Sequence, residues 1–206
     1  MLRTMIDRAL VGGDGTPFRL RTLGVDDARA FAACVASDVG RLGRYLTWPD
    51  QTTTPDGATA FLGQYERQEG GRILMAGIWV AGELLGGVAL IRHDPVHANA
   101  EFGCWIAAPG AGRGIVSTGC RALIRMAIDL GIQRLTWECA PQNVASRRLA
   151  DHLGFRYEGT ARADYVVRDE RLDTDRLSLV GDELADAGRR PPQLRREADT
   201  PPRRRR

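Results

Sequence analysis

A strand, a glycine-rich loop and a long amphipathic helix follow one another without a break from Ala100 to Leu130, and no other segment constrains this chain as much. Ala100-Glu101-Phe102-Gly103-Cys104-Trp105-Ile106 reads as the strand. Pro109-Gly110-Ala111-Gly112-Arg113-Gly114-Ile115 then lets the backbone pass close to another group with little Cβ obstruction. The helix that follows, to about Leu130, carries Ile115, Cys120, Leu123, Ile124, Ala127 and Ile128 on its buried side. Its first turn offers unpaired N–H groups and a positive dipole end, which suit a phosphate or pyrophosphate. Arg113 adds charge there and Ser117 a donor. The same residues would also serve as a plain turn from strand to helix, and taken alone they leave both readings open.

Two phosphate loops are excluded. A P-loop needs a lysine, and all 29 basic residues here are arginine. The dinucleotide pattern G-x-G-x-x-G fails because the residue where the third glycine belongs, counted from Gly110 and Gly112, is Ile115. Kinase-type and nicotinamide chemistry are therefore not supported.

The rest of the pattern gives a single α/β domain of the α+β kind. Phe18 to Leu23 alternates as a strand, and apolar residues at Ala28, Phe31, Ala32 and Val35 follow at helical spacing. A short helix is expected over Val39 to Leu46, and another from Thr54-Pro55-Asp56 to about Glu69. Strands Ile73 to Val80 and Leu84 to Arg92 flank the hairpin loop Ala81-Gly82-Glu83. Arg134 to Cys139 is a strand, and Asn143 to Leu153 a helix capped by Asn143 and stopped by Gly154. Phe155 to Ala163 and Leu172 to Val180 close a mixed sheet with helices on both faces.

With 206 residues and 43% hydrophobic content the chain can bury one sizeable core. No apolar run approaches the roughly 20 residues of a membrane span, and the first residues lack a signal-peptide pattern. Four widely spaced cysteines and three histidines (His93, His97, His152) show no metal spacing. Cys104, Cys120 and Cys139 read as buried free thiols, and a cytoplasmic location is expected. The net charge of +3 is uneven. Residues 189–206 hold eight arginines against Glu197 and Asp199, which leaves the domain at 1–188 net acidic. The tail is expected to be disordered, either as an electrostatic arm for RNA, ribosome or acidic protein or as a solvated end.

Gly112-Arg113-Gly114-Ile115-Val116-Ser117, followed by Asn143-x-x-Ser146 and Gly154-Phe155, resembles the GCN5-related N-acetyltransferases (GNAT), and most closely the branch of ribosomal-protein serine/alanine N-acetyltransferases. Tyr45-Leu46-Thr47-Trp48-Pro49, Gly82-Glu83-Leu84-Leu85-Gly86, the strand from Ala100 to Ile106, Glu158-Gly159 and Asp173 extend the likeness over about residues 8–181. The resemblance implies a central mixed, mostly antiparallel sheet of six to seven strands with splayed middle strands and acetyl-CoA between them. Backbone groups of Trp105, Ile106 and Ala107 would bond the pantetheine. Amides of Gly112, Arg113, Gly114, Ile115, Val116 and Ser117 would hold the pyrophosphate, and Asn143 and Ser146 would reach the cofactor arm. No metal is implied.

The family's Q/R-x-x-G-x-G/A pattern falls on Ala111, Gly114 and Val116, so its first and last positions are unmatched. The tyrosine that protonates the thiolate in the wider family is Ala150 here, and the ribosomal branch's serine corresponds to Ser146. Asp164 and Glu101 are the candidate bases, with Asp164 slightly preferred. Asp164 reads equally as a loop acid, and Glu101 as the partner of an arginine. The implied reaction is transfer of an acetyl group to a primary amine, first a protein N-terminal α-amine, with a small amine or antibiotic as alternative. A CoA-binding sensor or scaffold with a nucleic-acid-contacting tail is the reading outside enzymes. Monomer and homodimer both remain open.

Overall fold

The computed structural model describes residues 5–189; the arginine-rich stretch from 190 onward lies outside the described residues. The strands are β1 (Asp7–Val11), β2 (Pro17–Thr22), β3 (Leu74–Val80), β4 (Glu83–Asp94), β5 (Asn99–Ile106), β6 (Arg134–Cys139), β7 (Arg156–Val167) and β8 (Glu170–Val180). The helices are α1 (Ala28–Ala36), α2 (Val39–Leu42), α3 (Pro55–Glu66), α4 (Ile115–Asp129), α5 (Val144–Leu153) and α6 (Asp182–Arg189). All eight strands form one sheet in the order β1-β2-β3-β4-β5-β6-β8-β7. Every pairing is antiparallel except β5 with β6. A parallel pair requires a long crossover, and α4 supplies it.

Alternation along the central strands divides the core between two faces. Leu74, Ala76, Ile78, Val88, Leu90, Ala100 and Phe102 pack with Ile115, Cys120, Leu123, Ile124 and Ala127 of α4 and with Ala150 and Leu153 of α5. Met75, Leu84, Ala89, Trp105 and Ala107 pack on the other face with Phe31, Val35, Ala58, Leu62 and Tyr65 of α1 and α3. The rings of Trp48, Phe61 and Trp105 surround Phe31 at centroid distances of 5.6, 5.6 and 5.3 Å. Among the described residues no helix is long and apolar enough to cross a membrane.

The sheet has eight strands where six to seven were expected, because Asp7–Val11 pairs with β2 as an edge strand whose residues are mostly exposed. Without a buried face it carries no alternation to read. Helix α6 was also not expected. It lays Leu184 and Ala187 on α4, and its carbonyls at Ala187 and Gly188 accept from the Arg121 and Arg125 guanidinium groups. Helix α2 stops at Leu42 rather than Leu46, and α3 at Glu66 rather than Glu69. All four cysteines are free, but Cys104 is only half-buried where full burial was expected.

Truncating the ring that ties α1 to the sheet tests the second core. Phe31→Ala should cost about 3–5 kcal/mol of unfolding free energy in urea titrations. A loss below about 1 kcal/mol would show that this layer contributes little.

Candidate functional site

Strands β5 and β6 share backbone hydrogen bonds only from Asn99↔Arg134 to Phe102↔Trp137. Beyond that pair they part. β5 stays with β4 as far as Ile106↔Gly86, and β6 stays with β8 as far as Cys139↔Asp175. The result is a fork in the middle of the sheet. Ala107 N–H donates to the Leu85 carbonyl at 2.7 Å. By antiparallel alternation Trp105 also directs its backbone to β4, while Cys104 and Ile106 turn theirs into the fork. Of the three residues expected to offer backbone groups there, Ile106 does so, and Trp105 and Ala107 are engaged with β4. Cys104 takes the second place, which strand parity alone could not reveal without knowing which neighbour bonds which residue. The Ile106 carbonyl accepts from Arg41. Asp38 accepts from Arg41 and, at 2.8 Å, from Ala108 N–H, so the start of α2 is fastened to the end of β5.

The glycine loop borders the same fork. Gly112 and Gly114 have φ of +77° and +71°, which side-chain-bearing residues rarely adopt. Among the described residues, the amides of Gly112, Arg113, Gly114, Ile115, Val116 and Ser117 have no acceptor. The first turn of α4 therefore presents an uninterrupted row of donors. The Ser117 hydroxyl donates to the Gly114 carbonyl at 2.9 Å, leaving its amide free. The Arg113 side chain does not join the row. Its guanidinium donates to Thr16 Oγ1 at 3.0 Å and pairs with Asp14 at 3.5 Å, on the turn between β1 and β2. That turn lies so close that a Cβ on Gly114 would come within 2.6 Å of the Gly13 nitrogen.

Asn143 caps α5: its Oδ1 accepts from Ser146 N–H at 3.2 Å, which leaves its amide group to donate. The Ser146 hydroxyl accepts from Trp137 Nε1 at 2.9 Å. Burial pushes the nearby Cys139 thiol up, and Ser146 beside it draws it part of the way back. Ala150, one turn further along, is fully buried.

The face of the sheet covered by α1 and α3 carries the carboxylates. Arg92 pairs with Glu101 at 2.7 Å and with Glu138 at 3.1 Å. Arg176 pairs with Glu138 at 3.3 Å and with Asp164 at 3.4 Å. Both candidate bases thus belong to one network, joined through Glu138, which the sequence reading passed over. The available signal was the alternation of β6, which puts Glu138 opposite Trp137. Glu101 is the more enclosed. Burial pushes its carboxyl up to about 7, against the pull of Arg92 and with a further push from Glu138. Asp164 is exposed. It lies inside β7 rather than after the strand, in an irregular stretch between the pairs Ala161↔Thr174 and Tyr165↔Leu172. Asp173 holds that stretch by accepting from Ala163 N–H at 2.7 Å. The fork, the donor row and this network suit a ligand with an anionic end at α4 and an amide-bearing arm between the strands.

The family model for the acetyltransferase (GNAT) domain matches residues 18–156. YdaF of Bacillus subtilis, an inferred ribosomal N-acetyltransferase, is 30% identical over 164 residues, 78% of this chain and 90% of its own. The ribosomal-protein-serine acetyltransferase of Escherichia coli is 27% identical over 143 residues, 68% of this chain and 80% of its own. RimL, a ribosomal L7/L12 α-N-protein acetyltransferase solved with coenzyme A in a disulfide with one of its cysteines, superposes with a TM-score of 0.77 at 21% identity, covering 87% of this chain and 99% of RimL. RimJ of Mycobacterium smegmatis, solved with CoA-disulfide, gives 0.77 at 20% identity over 91% and 96%. These two structural likenesses concern the fold.

Contact between loop and turn separates two otherwise similar glycines. Gly112→Ala meets open space and should cost about 1 kcal/mol for its positive φ. Gly114→Ala meets the Gly13 backbone and should cost about 3 kcal/mol or more in urea titrations. Equal losses would show that the turn does not hold the loop.

Proposed function

We propose that this chain, which belongs to the GNAT acetyltransferase family, is an acetyl-CoA-dependent N-acetyltransferase acting on the N-terminal α-amine of a protein, of the ribosomal-protein kind. The observation that carries the reading is the fork bordered by six unpaired amides, because it matches a ligand that joins a pyrophosphate to an amide-bearing arm. When bound, acetyl-CoA supplies the acetyl thioester. The amides of residues 112–117 would hold its pyrophosphate, and Cys104, Ile106 and the Asn143 amide would bond its arm. Ser146 would give a proton to the sulfur.

Glu101 is the proposed base, and its environment bears on the acceptor. A carboxyl near 7 lies about one unit below an α-amine and more than three below lysine, whose reference values are about 8 and 10.4. Removing a proton from an α-ammonium is then roughly tenfold uphill, against more than a thousandfold for lysine. The named activities of the curated relatives support the same class of acceptor. The carboxylate network supports it too, since it offers negative charge to an incoming ammonium. Asp164, tied to Arg176, adds its charge to that network.

Thiol release from acetyl-CoA should be seen with peptides beginning Ser or Ala and not with polyamines or aminoglycosides. Turnover confined to the small amines would overturn the acceptor class. The pH dependence has a definite sign. Because the Glu101 carboxyl is raised, it stays protonated and inactive as a base below about 7, so kcat/KM should climb about tenfold per pH unit there. Glu101→Gln should lower kcat by about 10²–10⁴ and remove that limb, whereas Asp164→Asn should keep it. An unchanged profile in Glu101→Gln would reject Glu101 as the base.

A further inference from the structure

Trp137 stands where the two strands part. It is the last β6 residue paired with β5, opposite Phe102. Its ring stacks on Phe102 at 5.6 Å with an interplanar angle of 8° and meets Phe155 edge-on at 5.3 Å. The side chain is almost wholly buried, so the indole has a single orientation. That orientation sends Nε1–H to Ser146 Oγ at 2.9 Å. Ser146 is held from its backbone as well, through the Asn143 cap at 3.2 Å.

We infer that Trp137 is a positioning residue for the acetyl transfer: its indole N–H occupies one lone pair of the Ser146 oxygen, leaves the hydroxyl proton available for the departing sulfur and stabilises the charge that grows on that oxygen. An indole N–H can only donate, so Ser146 cannot use its single proton on Trp137. In the transfer step the amine nitrogen forms its bond to the acetyl carbon and loses a proton to the base. The C–S bond breaks, and the leaving sulfur takes the Ser146 hydroxyl proton. The serine oxygen is reprotonated from water. A serine hydroxyl is a weak acid, and a hydrogen bond to its developing oxyanion is of the stronger, charge-assisted kind. The inference rests on the proposed role of Ser146, and its test separates the two.

Trp137→Phe keeps an aromatic ring at the vertex and removes the N–H. It should lower kcat about 10- to 100-fold with the KM for acetyl-CoA within about twofold of wild type. Ser146→Ala should lower kcat at least as much, and the double variant should fall no further than Ser146→Ala alone. If Trp137→Phe does not fold, the benzothiophene analogue of tryptophan, with sulfur in place of the N–H, makes the same comparison. A readout without turnover accompanies these. In the ¹H–¹⁵N spectrum of the unliganded protein, the indole resonance missing from Trp137→Phe should move upfield in Ser146→Ala. Loss of kcat in Ser146→Ala with none in Trp137→Phe would overturn the positioning role and leave Ser146 standing. Equal effects of Trp137→Phe in both backgrounds, or an unmoved indole resonance, would also overturn it, because the tryptophan would then act only by packing. Full activity in Ser146→Ala would overturn the role of Ser146 and this inference with it.

Discussion

The backbone pairing that stops at Phe102↔Trp137 governs everything else about this molecule. A sheet that parts in the middle leaves N–H and C=O groups facing one another across a gap, and each such group left unsatisfied in a buried place costs about 1–3 kcal/mol. The separation survives because neither strand is loose. β5 remains bonded to β4 through Ile106↔Gly86, and β6 to β8 through Cys139↔Asp175. The packed rings of Phe102, Trp137 and Phe155 fill the vertex. Arg41 satisfies the Ile106 carbonyl from outside the sheet. The fork is thus a built feature with a stabilised frame, and its unsatisfied backbone is what a ligand arm with amides of its own can complete.

Around that frame, the ionic contacts differ in what they can do. Arg19–Asp7 and Arg67–Glu69 are exposed pairs and contribute little to stability. The Arg92–Glu101 contact involves a carboxyl that is only 13% exposed, and there the environment changes chemistry rather than stability. Enclosure raises Glu101 while two arginines, Arg92 and then Arg176, both substantially exposed, oppose the rise. Arg113 shows the opposite allocation. A charge that the sequence places beside the donor row is directed to Asp14 and Thr16, so the row acts through its amides, and the arginine holds the loop to the β1–β2 turn.

The parts legible in the sequence are those decided by neighbours a few residues apart. The long helix after the glycine loop, the Asn143 cap and the left-handed Gly154 that stops α5 all follow from local spacing, and the structure has each of them. The mixed sheet with helices on both faces followed from the order of elements. What escaped was set by distant partners. β1 has no buried face of its own and exists by pairing with β2. The direction of the Trp105, Ile106 and Ala107 backbones depends on which strand bonds to which, a parity that no single strand encodes. Asp164 was legible as an acid but not as part of an irregular strand, because Asp173, nine residues on in the chain, fixes that bend.

The same reasoning bears on the proposed role of Ser146, a hydroxyl on α5 where the family resemblance would put a phenol one turn later. Ser146 and Ala150 are four residues apart, hence on one face of the helix and about 6 Å apart along its axis. At 150 the side chain is fully buried in the core beneath α4 and α5, and a ring there would have to displace packed neighbours. At 146 the side chain is half-buried and reaches the end of β6. A proton donor at 146 rather than 150 would also lie at the positive end of the helix dipole, where a growing negative charge on oxygen is favoured by about 0.3–1 kcal/mol, and by more when partly buried. A serine in that proposed role, far weaker as an acid than a phenol, would need that help and the indole N–H of Trp137 as well. The buried alanine and the capped, hydrogen-bonded serine are therefore two consequences of one arrangement, in which α5 meets the fork with its first turn rather than its second.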